Sequence, residues 1–406
     1  MRYPESVEYL YSLGNEVRSL KFGLDGIREC LAGLGNPHEK FRSVHVAGTN
    51  GKGSTCAMIE AAARSAGLRT GLYTSPHLIE PTERIQINGQ PVTKEQFVDA
   101  FERVHEVGKR MEFHPTYFET VTAMGFLLFA EAGLDLAVVE VGLGGRLDAT
   151  NVLRPAVSVI TPIDFDHESW LGSSLEQIAA EKAGILKSGI PAVVAPQRAE
   201  AEAVIHGVHD EVDYIRPGEF SNIQLSAEGC RFDFRGQAIE CPLAGAHQIT
   251  NAATAAAVLN RLEIPAAGIS DARWPGRLEK VSQHPDIILD GAHNPAGARA
   301  LASYIESFFR DRRVWMIYGA MRDKSVQEIT EVLFPLADEI VLTAAAFPRA
   351  LRPEALAEAS EHPSKHIAPT LTDAIGILKN KAAPTDIVFI TGSLYLVGEA
   401  RALLVK

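Results

Sequence analysis

Two regimes alternate along this chain. Short, nearly unbroken apolar runs rich in β-branched residues are separated by longer stretches in which apolar positions recur every three or four residues. The runs Val44–Ala47, Thr70–Tyr73, Leu136–Val141, Val157–Thr161 and Pro191–Ala195 read as strands, and the stretches near 54–66, 94–110, 117–132 and 174–187 read as helices. Strands alternating with helices of this length predict βαβ units and parallel pairing. Leu136-Ala137-Val138-Val139 and Val157-Ser158-Val159-Ile160 are almost wholly apolar, as expected of strands covered on both faces. Arg84–Ile87 followed by Asn88-Gly89 reads as a strand entering a hairpin.

The pattern changes near residue 212. Val212–Ile215, Ile223–Ser226, Arg231–Phe234 and Ala238–Glu240 alternate apolar with polar positions, which predicts a small antiparallel addition to the first domain; a helix follows from about His247 to Leu262. The stretch 264–278 is rich in proline and glycine and marks a domain boundary. Beyond it the alternation restarts, with strands expected at Ile287–Asp290, Val314–Tyr318, Glu339–Thr343 and Ile387–Thr391 and helices near 295–309, 324–335, 353–360 and 371–380. The expected fold is α/β. A first domain over 1–270 carries a mostly parallel sheet plus a small antiparallel one, and a second, Rossmann-like α/β domain covers 271–406.

Bulk properties narrow the function classes. At 406 residues the chain exceeds one ordinary core, in keeping with two domains. A net charge of −12 argues against a general binder of nucleic acid or anionic membranes. The cysteines, Cys30, Cys56, Cys230 and Cys241, form no C-x-x-C pair and suit a reduced, cytoplasmic compartment. The N-terminus lacks a long apolar segment, so no signal peptide is expected, and no run of about 18 apolar residues suggests a membrane span.

The densest chemistry lies in Ser-Val-His-Val-Ala-Gly-Thr-Asn-Gly-Lys-Gly-Ser-Thr, residues 43–55. A β-branched run, a glycine-punctuated turn and a helix-forming run follow one another. That layout cradles phosphate, because glycines let backbone N–H groups turn inward and the helix end adds partial positive charge. Lys52 is the phosphate-facing cation of such a loop, and Ser54 or Thr55 can offer a hydroxyl to Mg²⁺. The commonest P-loop pattern would place a glycine at Val46 and a hydroxyl residue at Gly53, so the alternative is an ordinary glycine-rich β–α turn.

Other positions acquire meaning beside that loop. Glu140 ends an apolar strand, where a carboxylate can coordinate the Mg²⁺ of a bound nucleotide or simply face solvent. Arg146 and Asp148 follow in the same turn and could line a substrate pocket. His167, in Asp164-Phe165-Asp166-His167-Glu168, sits either in a metal neighbourhood or in a solvated acidic turn. Lys182 falls on the apolar stripe of Leu175, Ile178, Ala179, Ile185 and Leu186. A bare ammonium there is costly. It either snorkels or pairs with a carboxylate, or its lowered pKa leaves an amine that captures CO₂ as a carbamate able to hold a second Mg²⁺. In the second domain, Asp290 and His293 sit in a capped β–α turn where they could face a nucleotide. Arg277 could reach phosphate or be solvated.

Taken together these residues resemble the folylpolyglutamate synthase/dihydrofolate synthase family of the Mur ligase superfamily. The resemblance rests on Ala-Gly-Thr-Asn-Gly-Lys-Gly-Ser (47–54), Thr-Ser-Pro-His-Leu (74–78), Tyr-Phe-Glu (117–119), Glu-Val-Gly-Leu-Gly-Gly-Arg-Leu-Asp-Ala-Thr-Asn (140–151), Asp166-His167 and Glu-Lys-Ala-Gly-Ile (181–185). It continues through His-Gln-x-x-Asn-Ala (247–252), Pro-Gly-Arg-Leu-Glu (275–279), Asp-Gly-Ala-His-Asn-Pro (290–295) and Thr-Gly-Ser-Leu-Tyr (391–395). It implies a P-loop-containing, Mur-ligase-like central domain and a C-terminal ligase domain that binds glutamate. Asn50, Gly51, Lys52, Gly53 and Ser54 would hold the ATP phosphates. Ser75, Glu140 and His167 would be Mg²⁺ ligands, with Ser54 beside them, and Lys182 the carbamylated lysine. Asn251, Arg277 and Asp290 would contact ATP, and His293 would touch phosphate or handle a proton. Thr116, Tyr117, Phe118 and Glu119, with Leu147, Asp148 and Ala149, would border a pterin-bearing substrate. The implied reaction joins L-glutamate to dihydropteroate or reduced folates at the expense of ATP, with Mg²⁺ ions, and K⁺ as a further cofactor candidate, in a monomer without nucleic-acid or membrane partners. Other amino-acid ligases of the superfamily, acting on UDP-linked substrates, and a nucleotide-driven switch without ligase chemistry are the rival readings.

Overall fold

The computed structural model describes residues 1–14, 23–112, 114–322 and 325–405. The chain divides into two compact units. One comprises Met1–Asn222, Phe232–Glu240 and Thr250–Arg273; the other comprises Ile223–Arg231, Cys241–Ile249 and the chain from Trp274 onward.

The first unit is built on an eight-stranded sheet in the order Gln90–Pro91, Ile85–Ile87, Thr70–Tyr73, Leu136–Glu140, Ser43–Ala47, Val157–Ile160, Ala192–Val194, Val212–Tyr214. Every strand from Thr70–Tyr73 to Val212–Tyr214 pairs in parallel, and only the hairpin at one edge reverses direction. Its turn, Asn88-Gly89, takes left-handed φ values of 50° and 72°, the conformation that Asn-Gly favours. The first strand lies in the middle, flanked by Leu136–Glu140 and Val157–Ile160, so the chain switches sides at its carboxyl end. Ligands of open α/β sheets bind at such a point.

Apolar clusters cover both faces. One includes Phe97, Phe101, Val121, Met124, Phe126 and Phe129 of the helices Lys94–Gly108 and Tyr117–Ala132. The other includes Ile178, Ala179, Ala201 and Ile205 of Leu175–Ala183 and Ala199–Val208. The helix Lys52–Ser65 is buried from Ser54 to Ala63. Its alanines admit the segment 266–271 so closely that a Cβ on Gly268 would stand 2.7 Å from Ala62 Cα.

The second unit carries a six-stranded sheet in the order Glu279–Ser282, Asp286–Leu289, Ile387–Thr391, Val314–Tyr318, Glu339–Leu342, Lys365–Ile367, parallel except at its first edge. Phe389, Met316, Ile340 and Leu301 lie in its core. A three-stranded antiparallel sheet is formed by Phe220–Leu225, Cys230–Phe234 and Gln237–Cys241.

The alternating segment Val212–Ile215 departs from expectation. Val212–Tyr214 is the parallel edge strand of the large sheet, paired with Ala192–Val194, and is not part of the antiparallel addition. A half-exposed edge strand alternates just as an antiparallel strand does, so the pattern could not separate the two. The helices Tyr3–Ser12, Asp25–Gly33, Ala199–Val208 and Leu394–Leu404 and the strands Glu279–Ser282 and Lys365–Ile367 were not anticipated. The helix expected over 324–335 runs Val326–Leu333, and position 324 lies outside the described residues.

Candidate active site at the carboxyl ends of the central strands

Strand Ser43–Ala47 delivers the chain into the turn 48–51, and Lys52 opens the following helix. Two glycines make the turn possible. Gly48 has φ +146° and Gly51 φ +86°. A Cβ on the first would stand 1.9 Å from Thr161 Oγ1 and on the second 2.2 Å from Asn251 Oδ1, so both positions are closed to any side chain. The turn is tied to the neighbouring strand end. Thr49 N and Asn50 N donate to Pro162 O at 3.0 and 3.2 Å, and Thr49 Oγ1 donates to Asp164 O at 2.9 Å. Gly51 stands at the helix N-cap and has no side chain with which to occupy the first-turn amides, the arrangement that suits an anion.

Charged groups gather around this turn. Lys52 Nζ donates to Thr49 O at 3.2 Å and lies 4.0 Å from Glu140 Oε1. Glu140 is buried at the end of its strand, and its Oε2 accepts from Ser75 N at 3.3 Å. Lys182 reaches the turn from the other side: its Nζ donates to Gly48 O at 2.8 Å, and its side chain is buried. Burial first, and the nearby Lys52 second, bring its amine down from the ordinary 10.5 to about 7 against the pull of Asp166 and Asp148. His167 is half-buried with φ +52° at the start of the short helix Glu168–Leu171, its Nε2 3.8 Å from Asp166 Oδ1. The structure thus brings together Lys52, Glu140, Ser75 and Lys182. Among the described residues no group of three or more His, Cys, Asp or Glu is placed to hold a metal. A small hard cation needs no cage of that kind. Carboxylate and hydroxyl oxygens from Glu140, Ser75 and Ser54, completed by water and phosphate, are the donor set Mg²⁺ takes.

The residues expected to border an organic substrate fall on two segments. Thr116 caps the helix Tyr117–Ala132 in a reciprocal box with Glu119: Glu119 N donates to Thr116 Oγ1 at 3.2 Å, and Thr116 N to Glu119 Oε2 at 2.8 Å. Tyr117 is buried, stacked on Tyr11 with centroids 5.9 Å apart, and the Arg84 guanidinium lies 5.4 Å from its ring. Phe118 lies so close to Gly142 that a Cβ there would be 2.5 Å from its Cζ. Leu147 is partly exposed and Ala149 buried. Asp148 is buried with its carboxylate turned inward: Oδ2 accepts from Gly142 N and Leu143 N at 3.0 and 2.9 Å, and Oδ1 accepts from Thr150 N at 3.0 Å and from the Thr150 hydroxyl. Its carboxylate pKa is raised by burial against those hydrogen bonds. Asp148 therefore shapes the turn rather than presenting charge. Arg146 pairs with Glu181 at 2.7 Å, and a Cβ on Gly184 would stand 2.3 Å from Arg146 Cβ, so this turn packs tightly on the helix that carries Lys182.

The Mur ligase middle domain matches residues 46–259, and the Mur ligase glutamate ligase domain matches residues 276–394. The dihydrofolate synthase/folylpolyglutamate synthase of Bacillus subtilis is 38% identical over 409 residues, covering 94% of this chain and 95% of that protein. This chain belongs to the folylpolyglutamate synthase/dihydrofolate synthase family of Mur ligases. The Mycobacterium tuberculosis folylpolyglutamate synthase complexed with ADP and AMPPCP superposes with a TM-score of 0.90 at 34% identity, covering 100% of this chain and 99% of that one. Escherichia coli FolC in complex with DHPP and ADP gives 0.89 at 31%, covering 99% and 97%. The Yersinia pestis bifunctional enzyme complexed with AMPPNP and Mn ion gives 0.88 at 32%, covering 100% and 98%.

The remaining family positions are also held by local contacts. Asn251, on the helix His247–Arg261, approaches Gly51. In the second unit, buried Asp290 accepts from Leu278 N at 3.1 Å and Ala292 N at 3.0 Å. Burial raises its carboxylate, and Arg277 opposes that rise. Arg277 lies across Gly291, where a Cβ would stand 2.4 Å from Nη1. His293 Nδ1 is 2.8 Å from Gly291 O, and Asn294 caps the helix Pro295–Phe308 through Gly297 N at 2.8 Å. His247 is brought down to about 4 by burial and then by Arg277. It went unselected although it opens the segment 247–252. Sequence reasoning also passed over the group around His77, whose Nδ1 accepts from Arg84 Nε at 2.8 Å and whose Nε2 is 3.3 Å from Tyr11 Oη. The only signal was the histidine in Thr-Ser-Pro-His-Leu.

Proposed function

We propose that this chain is an ATP-dependent ligase that joins L-glutamate to the carboxylate of dihydropteroate, of a reduced folate, or of both, releasing ADP and phosphate. Family membership sets the reaction class. The observation that carries the reading in this chain is the convergence of Lys52, Glu140 and Lys182 on the turn after the central strand.

A carboxylate is a poor acyl donor, and its approach to a triphosphate brings two anions together. Asn50, Gly51, Gly53 and Ser54 hold the phosphates through the turn and first helical amides, while Lys52 offsets negative charge on the transferring group. A divalent cation held by Glu140, Ser75 and Ser54 would add to that neutralisation. A substrate carboxylate oxygen attacks the γ-phosphorus, the bond to ADP breaks, and an acyl phosphate forms. The uncharged amine of glutamate then attacks the acyl carbon, and phosphate leaves. Asn251, Arg277 and Asp290 contact the nucleotide, and His293 touches phosphate or takes the amine proton. Residues 116–119 and 147–149 border the pteroyl group.

Lys182 adds a covalent step of its own. Its lone pair forms an N–C bond to CO₂, the nitrogen loses a proton, and the resulting carbamate is an anion suited to a second Mg²⁺ with His167. The low pKa of the amine supports this, since about half of it is uncharged near neutrality. K⁺ would serve as an additional charge-balancing ion. A cytoplasmic monomer is part of this proposal; among the described residues no helix is long and apolar enough to cross a membrane, and all four cysteines are free and buried.

The deciding experiment is mass spectrometry of products after incubation with ATP, glutamate and either dihydropteroate or tetrahydrofolate. A mass increase of one glutamyl residue is expected, with phosphate release sustained only when both the acid and glutamate are present. Equal ATP turnover without them would refute the ligase reading.

A further inference from the structure

One buried polar chain crosses the first unit from the phosphate-loop strand to the turn 142–149. His45 lies on strand Ser43–Ala47, fully buried, with Nε2 2.8 Å from Thr150 Oγ1. The Thr150 hydroxyl also bonds Asp148 Oδ1, whose other oxygen accepts from Gly142 N and Leu143 N. A threonine hydroxyl has a single hydrogen. Facing a carboxylate it gives that hydrogen to Asp148, so His45 must donate from Nε2 and leave Nδ1 unprotonated. His45 Nδ1 is buried without a hydrogen-bond partner among the described residues, which makes a second proton costly. Burial, with Lys187 second, accordingly holds the imidazole down to about 3, so this histidine is neutral and serves as a fixed donor. Lys187 secures the far end of the segment, with Nζ donating to Asn151 O at 2.8 Å and to Leu153 O.

We infer that His45 and Thr150 are positioning residues for the acid substrate: through Asp148 they hold the Gly142–Leu147 turn in fixed register with the strand that feeds the phosphate loop. The inference rests on the ligase reading above, which sets the pteroyl group against residues 147–149. Acyl phosphate formation needs the acid held by one segment and the phosphate held by another to meet in near-attack geometry, so a rigid link between them acts on the reaction without touching either reactant. A histidine fits this role better than an apolar residue because its Nε2–H anchors the threonine oxygen to the strand while leaving the hydroxyl hydrogen for Asp148.

The test compares Thr150→Val and His45→Leu, which remove the link, with Thr150→Ser and His45→Gln, which keep a donor or hydroxyl in place. Hydrogen exchange of residues 142–149 and the affinity for a non-hydrolysable ATP analogue are measured first, because neither needs turnover. KM and kcat for dihydropteroate follow. In the first pair, exchange at Gly142 and Leu143 is expected to rise at least about tenfold, and KM for dihydropteroate to rise while kcat falls, so that kcat/KM drops by at least a similar factor, with nucleotide affinity little changed. The second pair should restore both. Wild-type exchange and KM in folded Thr150→Val and His45→Leu would overturn the inference, as would a parallel loss of nucleotide affinity, which marks mere destabilisation. If Thr150→Val does not fold, the His45 pair decides. If the wild-type chain ligates no pteroyl substrate, the ligase reading and the substrate role fail together, while exchange separately decides whether His45 and Thr150 fix the turn.

Discussion

Replacing Lys182 by methionine tests the electrostatics of the site without any substrate. The side chain is buried, donates to Gly48 O at 2.8 Å, and has its amine lowered from 10.5 to about 7. The unfolded chain keeps the ordinary value. Below about pH 7 both states carry the proton, and the folded state bears the full cost of a buried ammonium. Between that pH and 10.5 the unfolded state holds a proton that the folded state lacks, so wild-type stability rises with pH by ~1.4 kcal/mol per pH unit. The whole span amounts to roughly 5 kcal/mol as an upper bound. Methionine has similar length and no charge, so its variant lacks this dependence but forfeits about 1 kcal/mol with the Gly48 hydrogen bond. In CO₂-free buffer the variant should therefore be the more stable protein near pH 6, by roughly 3–4 kcal/mol, and its advantage should shrink by roughly 2–3 kcal/mol near pH 9. Urea unfolding followed by circular dichroism across that range measures the difference directly. A difference that does not change with pH, or a wild type more stable near pH 6, would show the ammonium to be well paired. The neutral amine on which carbamate formation depends would then be missing.

Further outcomes can be checked independently. Gly51→Ala places a Cβ 2.2 Å from Asn251 Oδ1 at φ +86°, and nucleotide affinity measured by calorimetry should fall at least about tenfold. Asp148→Asn sets an amide where four hydrogen-bond donors converge, so urea unfolding should show a loss of about 2–4 kcal/mol; a loss under about 1 would contradict the inward-turned carboxylate. Chelation of divalent cations should abolish glutamate ligation and leave the melting temperature nearly unchanged, with Mg²⁺ or Mn²⁺ restoring turnover; activity that survives chelation would remove the metal from the mechanism.

The parts legible from sequence are those whose causes are local. The phosphate turn could be read because the β-branched strand, the glycines, Lys52 and the helix-forming run are contiguous, and each acts on its immediate neighbours. Lys182 stood out because helical spacing alone put a cation on an apolar stripe, and the structure buries it there. The central strands of both large sheets were visible as apolar runs because parallel strands are covered on two faces, whereas the half-exposed edge strands Val212–Tyr214, Glu279–Ser282 and Lys365–Ile367 left no such run. What tertiary structure alone decided depends on contacts between distant residues. Strand order places Ser43–Ala47 between Leu136–Glu140 and Val157–Ile160, and no local pattern encodes that order. Lys182 meets Gly48 across 134 residues and His45 meets Thr150 across 105, so neither pairing leaves a periodic trace in the chain. Asp148 was expected beside the substrate from its place in the turn after Glu140. Its internal task, accepting backbone amides at both of its oxygens, is visible only in the folded turn. Periodicity and turn chemistry act over a few residues, whereas a carboxylate's partners are chosen by whichever segments the packed sheet brings to it.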